Sequence, residues 1–458
     1  MRTLLKISLA VTAICLSGNM MAQQVSFGKM QNQISRGKDG INVFDVKKDT
    51  VQFKGLSVDL GGAFNMDFHA TNSWNDQPAN IGSISNYRLQ NAENNFSLPA
   101  ADMTIAAQLF DGVRVNLDIY LASRHHSNTY VKGGYLQIDK LDFIKKDFMA
   151  DLMKYTTIKI GQMENNFGDA HFKNSDNGST IRNAFVGNNI MNSFTTEMGM
   201  EVYYQRNGWI SMLGATNGNL NQSNQEVNNS PGPDVQTSVS PSILAKLGYD
   251  KQLNKDLRVR LTASYYHSAN LGNANIYASS RSGFGYWNVL NNAPYQNGAV
   301  TVPTSFNGSS TPEATFDPKF KNWATSYMIN PFVKYKGLEF FGTIELASGG
   351  DKAGSDDKRT ADQYAAELVY RFGQSEQFYI GGKYNTVSGK QLNADVDGKD
   401  TVNKFEASAG WFMTKNILAK LNYVSQNYED HSQFTGANLN NFYGGKFNGL
   451  VFEATIAF

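Results

Sequence analysis

The closing stretch of the chain, Phe447 to Phe458, reads FNGLVFEATIAF, and its periodicity sets the problem. Leu450, Phe452, Ala454, Ile456 and Phe458 fall on one face, and Val451, Glu453, Thr455 and Ala457 on the other. A period of two is that of a β-strand, because a helix would bring side chains back to one face every 3.6 residues. One face is continuously apolar and ends on an aromatic residue at the carboxyl terminus, where soluble proteins usually carry polar, frayed residues. The alternative is an ordinary edge or sandwich strand that happens to finish the chain. The other 446 of the 458 residues must decide between them.

The opposite end narrows the choice. Arg2 and Lys6 precede an apolar run from Ile7 to Leu16, and Met20-Met21-Ala22 offers a small residue before Gln23, the pattern of a secretory signal peptide cut after Ala22. Cys15 follows bulky Ile14 rather than a small residue, which argues against lipidation. Residues 1–22 are thus expected to be the signal peptide. Residues 23–50 carry no period and mix Gly with charge; they are expected to form a periplasmic lead-in segment, with a plug entering a barrel as the alternative. The leader holds the chain's one cysteine, so the exported part forms no disulfide. It also holds two of the 41 basic residues and none of the 40 acidic ones, which leaves 39 against 40. That balance gives no basis for binding nucleic acid or an anionic membrane surface. No later segment approaches the 18 or so consecutive apolar residues of a transmembrane helix, so membrane insertion requires a closed barrel of strands.

Residues 51–458 read as such a barrel. From Leu56 to Phe68 the alternate positions Leu56, Val58, Leu60, Phe64, Met66 and Phe68 are apolar, and Ser57, Asp59, Asn65, Asp67 and His69 lie between them. This is the apolar-out, polar-in register of a barrel wall. Sixteen segments of this kind occur, near 53–70, 96–109, 113–124, 130–141, 156–163, 196–206, 208–217, 240–250, 256–268, 323–335, 338–348, 361–372, 377–388, 402–413, 417–428 and 447–458. The connections alternate in length. Short ones such as Asp111-Gly112, Asn207-Gly208 and Lys336-Gly337 are hairpin signals. Long ones rich in Asn, Ser, Gly and Asp occupy 71–95, 164–195, 218–239, 269–322, 349–360, 389–401 and 429–446. A sandwich has no reason to sort loops this way, whereas a transmembrane barrel does. The predicted fold is therefore all-β, an antiparallel transmembrane barrel of about 16 strands. Two connections depart from the pattern: 125–129 is short on the long-loop side, and 142–155 spaces Phe143, Phe148, Leu152 and Tyr155 as a short amphipathic helix would.

A barrel of this size leaves a lumen unless a loop or plug enters it. The third long-side connection, Glu164 to Thr195, follows Ile158-Lys159-Ile160-Gly161-Gln162 and opens with Asn165-Asn166-Phe167-Gly168-Asp169. With Thr196-Glu197-Met198-Gly199 and Thr216-Asn217-Gly218, these residues resemble Gram-negative, Bacteroidota-like outer-membrane porins of the phosphate-selective and carbohydrate-porin type, over about 161–217. The terminal strand resembles those that barrel-assembly machinery reads, with Phe452, Ile456 and Phe458 as the assembly signal. The resemblance implies that the third loop folds inward and that Asp169, His171, Lys173, Asp176 and Arg182 lie at the pore constriction. The competing reading is a solvated external loop.

Alternation assigns pore-wall positions to Arg114, Asp118, Lys159, Arg258, Arg260, Glu345 and Arg371. The wider inward set also mixes signs, with Arg124, Lys383 and Lys420 set against Asp59, Asp67, Glu197, Glu201, Glu339, Glu367, Glu406 and Glu453. An anion-selective site needs converging cations with little opposing charge, so strong phosphate selectivity is not expected.

Other constellations carry less. Asp395-x-Asp397-Gly398-x-Asp400 lacks the Glu that completes a Ca²⁺ loop, adjacent His125-His126 point to opposite faces of a strand, and nothing orients His267-Ser268 for catalysis. No enzyme activity, cofactor or metal is expected. Tyr203, Tyr204, Trp209, Tyr265, Tyr335, Trp411, Tyr423 and Phe458 are expected in an aromatic girdle at the headgroups, with Tyr120, Tyr203, Tyr266 and Phe341 as an inward sugar-stacking alternative. The expected function is a porin of the cell outer membrane for small hydrophilic solutes with weak selectivity, in contact with outer-membrane lipid, and as a homotrimer or part of a larger outer-membrane complex. The rival is a non-transporting accessory or scaffold barrel, suggested by the length of 269–322.

Overall fold

In a computed structural model of the chain, the described residues are 26–27, 30–76, 80–81, 84–85, 89–90, 93–96, 100–122, 129–175, 180–222, 239–271, 276–277, 285–286, 289–292, 295–296, 299–300, 314–350, 358–389, 399–429 and 442–458. The signal peptide, Arg124, His125-His126, Asp176, Asp395 and Asp397 lie outside them.

Sixteen long strands form the wall: β1 (Ser57–Trp74), β2 (Ala100–Phe110), β3 (Val113–Ala122), β4 (Tyr130–Ile138), β5 (Thr156–Glu164), β6 (Thr196–Arg206), β7 (Trp209–Thr216), β8 (Ser242–Gln252), β9 (Leu257–Ser268), β10 (Ala324–Tyr335), β11 (Leu338–Gly350), β12 (Lys358–Phe372), β13 (Phe378–Gly389), β14 (Asp400–Thr414), β15 (Ile417–Glu429) and β16 (Lys446–Ala457). Each pairs antiparallel with its sequence neighbours. The sheet closes where β16 pairs antiparallel with β1, from Ala63 opposite Ala457 to Trp74 opposite Lys446. Closure leaves no wall strand with an unpaired edge, which is what a strand structure in hydrocarbon requires.

The period of two decides what each face meets. Outward positions are large and exposed: Leu213 is 68 % exposed, Leu60 57 % and Phe452 51 %. Inward positions on the same strands are polar and buried, among them Asn65, Asp67, Glu201, Asn385, Glu406 and Glu453. A water-soluble protein inverts that arrangement, so the outer belt is matched to lipid. At the short-turn rim Tyr370, Phe372, Phe378 and Trp411 stack in series across β12, β13 and β14. Tyr155 packs on Tyr204 with the Arg206 guanidinium over its ring. These are girdle positions, where rings with a polar edge sit at headgroup level. Tyr203 is not one of them: its parity on β6 turns it inward, where its hydroxyl binds Glu201.

The short connections follow their sequence signals. Asn207 and Gly208 both have positive φ, 54° and 90°, the backbone of the tight turn that matches the twist of a hairpin. Between β4 and β5 the expected amphipathic helix shrinks to one turn, Ala150–Met153. Asp147 and Met149 adopt left-handed φ values of 58° and 51°, which interrupt a right-handed helix on its amino-terminal side.

The largest departure is the amino-terminal segment. Residues 30–50 do not stand apart as a lead-in; they fold into the short-turn mouth of the barrel. Phe44 is buried against Phe172, Phe332 and Phe341. Gln31 donates to Asp111, Lys48 to Asp139, and the Lys38 backbone N–H to Lys415 O, so the segment is tied to three separate connections at this rim. Without a period of its own, its partners are wall residues distant in sequence, and local pattern could not reveal them.

Candidate functional site

The third long-side loop lies in the lumen. Its first anchor is Asp169, which is fully buried. Arg260 on β9 donates from Nε and Nη2 to the two Asp169 oxygens at 2.7 and 2.8 Å, a bidentate pair. Lys246 on β8 stands 3.2 Å away, and the Thr262 hydroxyl donates at 2.7 Å. The same guanidinium reaches Asp45 of the amino-terminal segment at 2.6 Å. Burial alone would raise the Asp169 and Asp45 carboxyls, but Lys246 and Arg260 more than offset it and hold both below the usual carboxylate range. One buried charge cluster thus ties wall, loop and amino-terminal segment together.

Farther along, the described residues of the loop form no regular structure beyond short 3₁₀ turns, so their backbone groups need other partners. The inward side chains of β12 to β15 supply them. Gln363 Oε1 accepts from the Met191 N–H at 2.9 Å and its amide donates to Met191 O at 2.7 Å. Asn385 accepts from the Ile190 N–H at 2.6 Å, and Glu406 from the Gly187 N–H at 3.1 Å. Lys420 donates to the carbonyls of Thr180, Asn183 and Phe185, and Lys404 to that of Asn188. Irregular backbone at membrane depth is tolerated when it is buried in protein in this way. Apolar side chains complete the seat: Phe167, Ile190 and Met191 join one cluster with Leu244, Tyr266 and Met328, and Ile181 and Phe185 join another with Val369, Tyr379 and Leu418.

The described parts of 269–322 press on this loop from the long-loop side. Tyr277 donates to Glu345 at 2.8 Å, Tyr286 to Glu406 at 2.5 Å, and the Phe316 N–H to Ile190 O at 2.8 Å. The lumen is therefore filled along β8 to β16. A cavity of about 300 Å³ persists along β2 to β6, with Arg36, Asp45, His171 and Arg182 on its inner side and Arg114, Asp118, Lys132, Tyr135, Lys159, Glu164 and Glu201 on the wall.

This division sorts the expected residues. His171 and Arg182 line the cavity. Asp169 and Lys173 do not: Asp169 anchors the loop, and Lys173 pairs with Glu367 at 2.9 Å under the Phe341 ring. Asp176 lies outside the described residues. Arg114, Asp118 and Lys159 face the open space, whereas Arg258 pairs with Asp250, Arg371 with Glu339, and Glu345 with Tyr277, all on the filled side. Tyr120, Tyr266 and Phe341 point inward but are buried in packing, so they form no open stacking track. Lys246, Gln363, Asn385 and Lys404 were not singled out in the sequence; alternation along their strands turns them inward, and only the path of the loop gives them a role. Asp45 had no signal.

No protein-family model and no curated protein matches the sequence. Among solved structures, the anion-selective porin from Comamonas acidovorans is similar at 10% identity over 88% of this chain and 100% of its own, with a TM-score of 0.48. Pseudomonas putida OprB gives 12% identity over 88% and 94%, TM-score 0.47. The outer membrane channel DcaP of Acinetobacter baumannii gives 10% over 89% and 99%, TM-score 0.44. The barrel assignment stands on the strand pairing itself.

Proposed function

We propose that this chain is an outer-membrane porin whose conducting path runs along β2 to β6 and carries small hydrophilic solutes with weak charge selectivity. The observation that supports it is the lumen: a buried, many-point anchor holds the third loop against β8 to β16 and leaves a polar cavity on the other side, lined by both signs of charge. Mixed lining disfavours strong preference for either ion. In this reading the polar groups of the wall hold the loop and solvate what passes. The final strand, with Phe452, Ile456 and Phe458 on the apolar face, is the part that assembly machinery would read, and the outer wall is in contact with lipid, with other copies of the chain, or with both.

Planar-bilayer recording tests the reading. Purified, folded protein should give discrete conductance steps in KCl and a reversal potential near zero in a salt gradient. A folded protein that never conducts would refute it.

The second reading is an accessory or scaffold barrel. It is favoured by the filling of the lumen from three directions, namely the third loop, the 269–322 connection and the amino-terminal segment. Such a subunit would stay electrically silent and copurify with a defined partner in mild detergent.

A further inference from the structure

Three strands of the open sector arrange their charges by level. Register places Arg114 on β3 opposite Gln137 on β4, and Gln137 opposite Lys159 on β5, so the two cations share one level near the short-turn rim. Gln137 accepts from Arg114 Nη2 at 2.8 Å and turns its own amide to Asp139. Arg114 is buried from bulk solvent, only 5 % exposed, and lines the cavity, yet its described partner is a neutral amide and its Nε–H makes no hydrogen bond among the described residues. Lys159 lies between the rings of Tyr135 and Tyr203, at 5.4 and 5.1 Å from their centroids. Its cross-strand neighbour Glu201 binds Tyr203 and the Asn166 N–H instead.

Asp118 lies four residues farther along β3, about 13 Å from Arg114 at the rise of a strand. It accepts from Thr104 at 2.8 Å and from Asn116 at 2.7 Å, both neutral donors. By contrast, other cavity charges are compensated in pairs: Lys132 with Asp102, Arg36 with Asp59 and Asp45 with Arg260. Between the two levels stand Asn116 and Tyr135, which also line the cavity, and the wall opens beside Asp118 itself. A Cβ on Gly133 would stand 3.4 Å from Asp118 Oδ2, so glycine leaves that carboxylate uncovered. Gly161, opposite Tyr135, adds no side chain and has a φ of 139°, which favours glycine.

We propose that this niche binds short zwitterionic peptides in transit, with the carboxylate at Arg114 and Lys159 and the ammonium at Asp118. The reach of the arginine narrows the gap to one that two or three residues span at about 3.3–3.6 Å each. A free α-amino acid, with its charges on one carbon, is too short to meet both ends. A dianion gains at one level and is repelled at the other, and a sugar gains neither charge-assisted contact. The inference rests on the porin reading and deepens it.

The test is permeation into proteoliposomes of glycylglycine, its neutral analogue N-acetylglycinamide, the anion N-acetylglycine and the cation glycinamide, with KCl conductance recorded on the same preparations. Glycylglycine is expected to enter ahead of the other three and to reduce KCl current at millimolar concentration. Arg114→Gln and Asp118→Asn should each weaken that block about tenfold, the effect of one charge-assisted contact, while Arg114→Lys retains most of it. Heat-modifiable gel mobility identifies correctly closed barrels. Should a charge variant fail to close, Gly133→Val, which keeps both charges but fills the niche, should abolish the block. KCl conductance with equal entry of all four solutes would overturn the zwitterion site and leave the porin reading standing. Absence of KCl conductance would overturn both.

Discussion

Replacing Arg260 by Met tests the anchor that places the third loop. In the native chain this guanidinium is buried, paired bidentately with Asp169, and 2.6 Å from Asp45. The substitution keeps the apolar stem and leaves two buried carboxylates sharing Lys246, which is 3.2 Å from Asp169. Removing one partner from a buried ion pair costs about 3–5 kcal/mol, because the remaining charge is uncompensated. Applied to the equilibrium between seated and released loop, that shifts it on the order of a hundredfold or more. The wall itself, held by its strand ladder, should stay closed. Single-channel recording should show larger and noisier current levels, and a protease added from the loop side should cut within 164–195. The double variant Arg260→Met with Asp169→Asn relieves one orphaned carboxylate and should recover part of the loss. Unchanged conductance together with unchanged protease resistance would refute the reasoning.

Further expectations follow from neighbouring features. Phe44→Ala removes the ring that Phe172, Phe332 and Phe341 enclose, so it should cost about 3–5 kcal/mol of the amino-terminal segment's seating and widen the short-turn mouth, read as higher conductance without loss of the heat-modifiable band. Asp45 and Asp169 have lowered folded pKa values, so their stabilisation is present above the unfolded value near 3.9 and is lost as pH falls below it. Current noise should therefore be flat from about pH 5 upward and rise below about pH 4; a transition near neutrality would contradict this. Lys420→Met leaves Glu453 without its ion-pair partner at the β15–β16 seam and unties three loop carbonyls, and should lower the thermal midpoint of the closed barrel. Removing Phe458 should reduce the amount of folded protein in the membrane while leaving refolding in detergent intact, as expected if its role is to be read during assembly.

The wall was legible in the sequence because each strand writes its own burial pattern. In FNGLVFEATIAF the parity alone put Glu453 inward, and the structure pairs it with Lys420 and sets it opposite Asp67 across the closing seam. Parity also turned Arg114, Asp118 and Lys159 inward, together with Arg258, Arg260, Glu345 and Arg371. What it could not give is which inward residues remain open to the lumen, since that depends on where a 32-residue connection without a period comes to rest. Asp169 shows the difference: a charged residue in a presumed constriction loop is equally compatible with lining a pore and with locking the loop to Arg260. The same holds for residues 30–50, whose polar composition suits a solvated lead-in but whose Phe44 and Asp45 find partners inside the mouth. Tyr203 stood in both the girdle and the inward alternative, and its parity on β6 places it inward.

The central claim is that the third loop occupies the lumen and sets its bore. Its most direct measurement is single-channel conductance after residues 170–190 are replaced by a short Gly-Ser bridge, in a barrel shown to be closed by gel mobility. Conductance should rise severalfold, because the loop's removal reopens the β8 to β16 side. A bridged barrel that conducts as the native chain does would contradict the claim.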